Sequence, residues 1–337
     1  MRLDVNVTFF EIEDWGRRYL SRRGLRSNGI KISRDLLTVD TAPLAAEADA
    51  VSVFIYSQVT AEVMDKLPKL RLIATRSTGF DHIDVKAAAE RDITVTNVPR
   101  YGETTVAEHT FGLILSLSRK IYKAYCRTSA LDFSMQSLRG FDLKDKTIGI
   151  VGAGAIGLHV IRIAKGFGMN VLAYDTNVQP LLAEVLDYTY VSLEELLSKS
   201  DIISLHVPLI PATHHLIDEN AVKQMKRGAI LINTSRGAIV DTAALAAGLN
   251  DGTIAGAGLD VLEGEESIKE EAQLLAAEMP VEKLRAVVQS FALLHRDNVI
   301  ITPHIAFYSE EAEQRIYDTT IDNIISFTAG QPQNVVA

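Results

Sequence analysis

Only one cysteine, Cys126, occurs in 337 residues. No internal disulfide and no cysteine-based zinc cage can therefore form, and a reducing compartment fits. A small core residue is the expected setting for it. Apolar runs of about eighteen residues, the length of a membrane span, are missing too. The opening Met1-Arg2-Leu3-Asp4-Val5-Asn6 places an acid where a secretion signal is apolar. A cytoplasmic protein is expected. Cations are in deficit, 34 Lys and Arg against 43 Asp and Glu, for a formal net charge of -9. Binding a polyanion needs clustered Lys and Arg to displace phosphate counterions. Neither nucleic acid nor an anionic membrane is thus an expected partner. No segment is biased enough to argue for disorder, and no repeat of solenoid type is visible.

Core material is plentiful, with 47% hydrophobic residues against 23% charged. The length exceeds what one core usually supports, so two domains are expected. Leu3 to Phe10 is a short apolar, β-branched stretch, and Glu11-Ile12-Glu13-Asp14-Trp15 after it suits a helix N-terminus. The pattern of strand then helix recurs at Ala50 to Tyr56, Leu70 to Thr75 and Ile93 to Val98, which implies a parallel sheet wrapped by helices. At Pro99 the pattern breaks, and Glu103 to about Cys126 reads as one long helix. A second α/β series begins at Thr147 to Val151 and continues through Val171 to Tyr174, Ile202 to His206, Ile230 to Asn233 and Gly256 to Leu259. Residues 263–298 read as helices inserted before a last strand at Val299 to Thr302. The apolar face of Glu310 to Phe327 is expected against the first domain. The expected division is a first domain of residues 1–101 completed by 300–337, and a second of residues 102–299.

Gly152-Ala153-Gly154-Ala155-Ile156-Gly157 follows the strand Thr147 to Val151 and opens a helical pattern. In that context the motif points to a dinucleotide site. Gly152 allows the tight turn, Gly154 lets backbone approach a pyrophosphate, and Gly157 permits close packing of helix on strand. The helix N-terminus offers amides and its positive dipole end to the phosphates. The next strand ends in Asp175, placed to accept hydrogen bonds from the adenosine ribose, and no Arg follows in Thr176-Asn177-Val178 to receive a 2′-phosphate. NAD is expected rather than NADP.

Three further islands lie just past predicted strands: Asn233-Thr234-Ser235-Arg236-Gly237, Asp260-Val261-Leu262-Glu263-Gly264-Glu265 and Thr302-Pro303-His304-Ile305-Ala306. The carboxyl edge of an open α/β sheet is where ligands bind, so an Arg, two acids and a His can converge there. These islands, with the glycine motif, resemble the D-isomer-specific 2-hydroxyacid dehydrogenase family. The similarity extends to Ala74-Thr75-Arg76-Ser77-Thr78-Gly79-Phe80-Asp81-His82-Ile83-Asp84, to Asn97-Val98-Pro99 with Tyr101, to Ala107-Glu108-His109 and to Leu205-His206-Val207-Pro208-Leu209.

The resemblance implies two Rossmann-like α/β domains, a flavodoxin-like substrate domain and an NAD-binding domain, with the active site in the cleft. It makes His304 the general acid/base, Glu265 the carboxylate that keeps its imidazole protonated for reduction, and Arg236 the holder of the substrate's carboxylate and carbonyl. Chemistry suits these roles. An imidazole titrates near neutrality and responds to a neighbouring carboxylate, and a guanidinium is a planar, permanently charged fork. The implied cofactor contacts are Gly152, Gly154, Ala155, Ile156, Gly157, Asp175, His206, Val207, Pro208, Thr213, Thr234, Ser235, Arg236, Asp260 and His304. The implied substrate contacts are Tyr56, Ser77, Thr78, Gly79, Tyr101, Arg236 and Tyr308. No metal is expected, and His214, His215 and His295 read as ordinary polar or packing residues.

The 39-residue step from Glu265 to His304, with Tyr56 and Tyr101, resembles the D-lactate branch of the family. That favours pyruvate as substrate. Reduction of 2-oxoisocaproate, hydroxypyruvate or glyoxylate, or oxidation of phosphite, are the alternatives within enzymes. From another class, a co-repressor-type protein that uses NAD as a sensed ligand stays open. A homodimer through the cofactor domain is implied by resemblance alone.

Overall fold

The computed structural model describes residues 5–23, 29–264 and 292–336. The described chain divides into two compact units, residues 1–101 with 308–337 and residues 102–307.

The first unit is built on a five-stranded parallel sheet: β1 (Val7–Phe9), β2 (Ile30–Ile32), β3 (Ala50–Val53), β4 (Leu72–Thr75) and β5 (Thr94–Thr96), in the order β2-β1-β3-β4-β5. That order is flavodoxin-like. β3 and β4 are buried along their whole length, the pattern of parallel strands covered on both faces. One face packs Phe10, Val51, Ile73 and Val95, and the other packs Val7, Phe9, Leu72 and Ala74 with Tyr317, Ile321 and Ile324 of the helix Glu310–Thr328. The C-terminal helix thus joins the first sheet, as its apolar stripe requires. Arg76 is buried at the end of β4, where it donates to Ser52 Oγ at 2.9 Å and to the carbonyl of Phe10 at 2.7 Å. Burial lowers its pKa from the usual arginine value.

The second unit carries a seven-stranded parallel sheet: β6 (Thr147–Val151), β7 (Asn170–Tyr174), β8 (Thr189–Tyr190), β9 (Ile202–Leu205), β10 (Ala229–Asn233), β11 (Ile254–Leu259) and β12 (Val299–Ile301). Their order is β12-β11-β10-β9-β6-β7-β8. The strand order reverses between β6 and β9, which is the switch point where doubly wound folds bind ligands.

Three expectations need correction. β12 pairs with β11 from Val299 to Ile301, so the last strand closes the second sheet, and the return crossing falls at Phe307/Tyr308 rather than at residue 300. The long helix is two, Glu103–Ser118 and Ile121–Ser129, broken where Lys120 turns left-handed at φ 56°. The break has a tertiary cause: the amide of Phe141 takes the carbonyl of Ser118 at 3.0 Å, an acceptor that a continuous helix would need. Cys126 is exposed, because the helix Ile121–Ser129 buries none of its residues. The acidic stretch does open a helix, as expected, but its first residue, Glu11, stays outside. It sits at φ 56°, and its carboxylate accepts the amides of Phe54 and Tyr56 and the hydroxyl of Ser57. The helix starts at Asp14.

Candidate active site

All strands of the second sheet run parallel, so Gly152, His206, Thr234, Asp260 and Thr302, each following a strand end, share one edge. The glycine motif lies at the switch point. Gly152 has φ +97°, and a Cβ there would stand 2.7 Å from the carbonyl oxygen of His206. Gly157 lies against the same turn, its virtual Cβ only 2.0 Å from Gly152 O. Gly154 differs from both, because a Cβ there meets no protein atom within 4 Å. The open space faces whatever occupies the loop.

Gly154 is the N-cap of the helix Ala155–Gly166 and provides no side-chain cap. Elsewhere Asp84, Ser192, Asp218, Asp241 and Ser309 cap their helices with side-chain oxygens. The uncapped first-turn amides, those of Ala155, Ile156 and Gly157, suit an anion. Asp175 accepts the amide of Ala153 at 2.7 Å and that of Asn177 at 2.8 Å. It therefore shapes the glycine loop besides offering a carboxylate for a ribose. His206 Nε2 is bonded to Ser204 Oγ at 2.8 Å, while its buried Nδ1 has no partner among the described residues. Burial pushes the imidazole pKa down to about 3. An orphaned buried nitrogen beside an open glycine cradle and an uncapped helix fits a dinucleotide at this edge.

The loops after β10, β11 and β12 are tied together. The amide of Asp260 donates to Asn233 O, that of Thr302 to Leu259 O, and that of His304 to Asp260 O, each at 2.9 Å. The carboxylate of Asp260, 1% exposed, accepts the hydroxyl of Thr302, the amide of Ile305 at 2.9 Å and the amide of Ala306 at 2.8 Å. Asp260, expected to contact the cofactor, also has its oxygens holding the His304 loop. His304 has φ +55°, an unfavourable backbone for a residue with a Cβ that persists only where its surroundings impose it. Asp260 imposes it from both sides.

Arg236 has an extended backbone and is half-buried, with Nη1 donating to Ser235 O at 2.8 Å. Its loop is held by Asn233, whose side-chain amide donates to Arg236 O and whose Oδ1 accepts the amide of Ser235. Gly237 brings that loop onto the next one, since a Cβ there would lie 2.1 Å from the carbonyl carbon of Leu262. Thr234 Oγ1 pairs with Thr110 Oγ1 at 3.1 Å, and Ser235 Oγ bonds Leu205 O at 3.0 Å. The hydroxyl of Thr213 closes its own turn, accepting the amide of Ile210 and donating to Pro208 O. These three hydroxyls brace the loops in which the residues expected at the cofactor lie. Val207 packs near Gly152, and Pro208 is exposed. Glu265 lies outside the described residues.

His109 was quoted from the sequence without a role. Its Nε2 lies 3.0 Å from Thr302 Oγ1 and 3.5 Å from Asp260 Oδ1, so it supports the same loop. Its place in the island Ala107-Glu108-His109 was the sequence signal for it.

In the first unit, Ser77, Thr78 and Gly79 follow β4. Ser77 Oγ donates to Gly79 O at 2.6 Å and Thr78 Oγ1 to Val98 O at 2.8 Å. Tyr56, after β3, is 42% exposed, Tyr308 is 59% exposed, and the carbonyl of Tyr101 accepts Arg315 Nε at 2.7 Å.

A family model described as the NAD-binding domain of D-isomer-specific 2-hydroxyacid dehydrogenases matches residues 111–306. The chain belongs to this family. Among similar D-2-hydroxyacid dehydrogenases, the D-lactate dehydrogenase of Escherichia coli is 38% identical over 88% of each chain. A glyoxylate reductase of Korarchaeum cryptofilum is 40% identical over 86% of this chain and 83% of its own. The solved structure of Aquifex aeolicus D-lactate dehydrogenase, complexed with NAD and lactic acid, superimposes with a TM-score of 0.85 at 37% identity, covering 97% of this chain and 96% of the other. The protein is an NAD-dependent dehydrogenase of this family. Among its described residues no helix is long and apolar enough to cross a membrane.

Proposed function

We propose that the protein reduces a small 2-oxo acid, pyruvate first, to the D-2-hydroxy acid. The observation that carries the reading is the knot around Asp260, which holds a strained His304 at the same sheet edge as Arg236 and the glycine cradle. NAD, when bound, supplies the hydride donor and acceptor. The protein's own residues handle the anion and the proton. Arg236 binds the substrate carboxylate and polarises the C2 carbonyl, since a forked, weakly hydrated cation stabilises charge building on that oxygen. An imidazole nitrogen of His304 gives its proton to the carbonyl oxygen during reduction and takes it back in oxidation. Glu265 is assigned to hold His304 protonated. For the first unit, Tyr56, Tyr101, Tyr308 and the loop Ser77 to Gly79 are assigned to the substrate.

Pyruvate is favoured by the D-lactate dehydrogenase relatives and by the long step from Glu265 to His304. The glyoxylate reductase relative supports glyoxylate as second choice. The test is NADH oxidation with pyruvate, glyoxylate, hydroxypyruvate, 2-oxoisocaproate and phenylpyruvate in parallel, with the chirality of the product resolved. Pyruvate should have the highest kcat/KM and yield D-lactate. His304→Gln should lower kcat about 10²- to 10⁴-fold while NADH still binds. If an activated 2-oxo acid other than pyruvate wins, the substrate assignment is wrong; an unchanged kcat in His304→Gln removes the proton role.

The same reading includes a homodimer. The segment from Ile121 to Met135 exposes Tyr122, Tyr125, Leu131, Phe133 and Met135, and clustered apolar exposure of this kind suits a contact between subunits.

A further inference from the structure

Apart from the proposed catalytic set, three metal-ligating side chains meet in the second unit: His214, His215 and Glu263, with one ligand atom of each lying within 4.8 Å of the others. The imidazoles are neighbours, with ring centroids 4.0 Å apart and planes tilted by 31°. Successive side chains of an extended strand point to opposite faces. Here the left-handed backbone of His215, φ 50°, brings both rings to one side, and its amide is held by Ala238 O at 2.8 Å. Glu263 reaches His215 Nε2 through Oε1 at 2.7 Å. Its other oxygen accepts the hydroxyl of Thr242 at 2.8 Å and the amide of Thr242 at 3.3 Å. The carboxylate is therefore held in place by outer contacts, the arrangement that orients a metal-binding carboxylate.

The donor set decides the class of ion. Imidazole nitrogens suit zinc and its first-row neighbours, whereas magnesium and calcium prefer oxygen alone. The geometry points to a binding site for one zinc-class divalent cation on His214, His215 and Glu263, with water as the fourth ligand. A cation inserted between His215 and Glu263 replaces the bridging proton, which moves to the other ring nitrogen. His214 is exposed and gives the ion a path from solvent. The site departs from the expectation that these histidines are ordinary polar residues. It also has a consequence for the loops. His215 is bonded to Ala238, two positions after Arg236, and Glu263 adjoins the segment on which Gly237 packs. The bound ion ties these segments together without touching Arg236.

The test reads binding, not turnover, so it is independent of which 2-oxo acid is reduced. Metal-stripped full-length protein is titrated with zinc sulfate against a chromophoric chelator. One tight equivalent per chain is expected, weakened at least about tenfold in His214→Ala and in His215→Ala. It should weaken by a similar factor in Thr242→Val, which keeps every ligand and removes the hydroxyl that anchors Glu263. Magnesium at the same concentration should not compete, and His159→Ala and His295→Ala should bind zinc as the parent does. Circular dichroism melts of each variant separate a lost site from a lost fold, and exposed His214 is the variant least able to disturb folding. Absence of a tight equivalent, or one that survives both His214→Ala and His215→Ala, overturns the site.

Discussion

Gly154 and Gly157 sit three residues apart in one motif, yet the structure assigns them opposite consequences on substitution. Gly154 has φ -82° and ψ -158°, a conformation open to any residue, and its added methyl meets no protein atom. Gly154→Ala should therefore fold. The loss of a glycine N-cap, up to about 1 kcal/mol, is offset in part by about 0.4–1 kcal/mol from a stiffer unfolded chain. The methyl projects into the space through which a pyrophosphate would approach the helix amides. A hydrogen bond to a charged group contributes about 1.5–3 kcal/mol, so losing one weakens NADH binding roughly 10- to 150-fold. Gly157→Ala does the reverse. Its methyl would lie 2.0 Å from Gly152 O, and a backbone carbonyl cannot rotate aside, so the turn must shift. Overpacking of this kind costs about 1–3 kcal/mol, or a melting temperature lower by roughly 2–12 °C for a unit of this size. Calorimetric melts and fluorescence titrations with NADH read both quantities. Native NADH affinity in Gly154→Ala, or a parental melting temperature in Gly157→Ala, would refute the reasoning.

The depressed pKa of His206 has a signed consequence. Folded, the imidazole stays neutral down to about pH 3, while in the unfolded chain it takes a proton near 6.5. Below 6.5 the unfolded state binds more protons, so stability declines as pH falls from 6.5 towards 3, by about 2 kcal/mol at pH 5. Urea melts at pH 7.5 and 5.0 should show this loss in the parent and not in His206→Asn; an equal loss in both contradicts it. Asp260→Ala strands the buried amide of Ala306, at about 1–3 kcal/mol, and removes the acceptor of the partly exposed amide of Ile305. It should lower both the melting temperature and kcat, and a variant with parental values for both would show that Asp260 does not hold the His304 loop. Light scattering over a concentration series should give the mass of a dimer, reduced towards a monomer in a Tyr125→Glu, Phe133→Glu double variant; a monomeric parent at every concentration removes the dimer.

The parts of this site that could be read from sequence are those whose cause is local. The run Thr147 to Val151, its glycines and Asp175 form one continuous strand-turn-helix-strand unit, and the apolar strands β9 and β10 are recognisable because both their faces are buried. What escaped depends on distant residues. The break at Lys120 follows from Phe141 capturing Ser118, 23 positions upstream. β2 and β8 are short edge strands with partly exposed residues, too brief to establish a period. Glu11 has the composition of a helix opening but serves as an anchor for residues 54–57. Composition alone could not distinguish these roles.

Asp260 shows why the right residue can be found for an incomplete reason. An acid after a strand at the carboxyl edge suggests a ligand contact, and sequence offers no view of the donors that compete for it. Three of them, from residues 302, 305 and 306, reach its oxygens before any ligand does. A buried carboxylate needs such donors to remain charged, and the tight loop after β12 needs an acceptor for amides that no strand pairs. Each requirement is met by the other. The left-handed turn at His304 is what allows residues 305 and 306 to face back towards β11, so the strain in its backbone and the burial of Asp260 are one arrangement. A substitution that relaxes either should move the imidazole, and activity should be lost at Asp260 even though no atom of its carboxylate is assigned to the substrate.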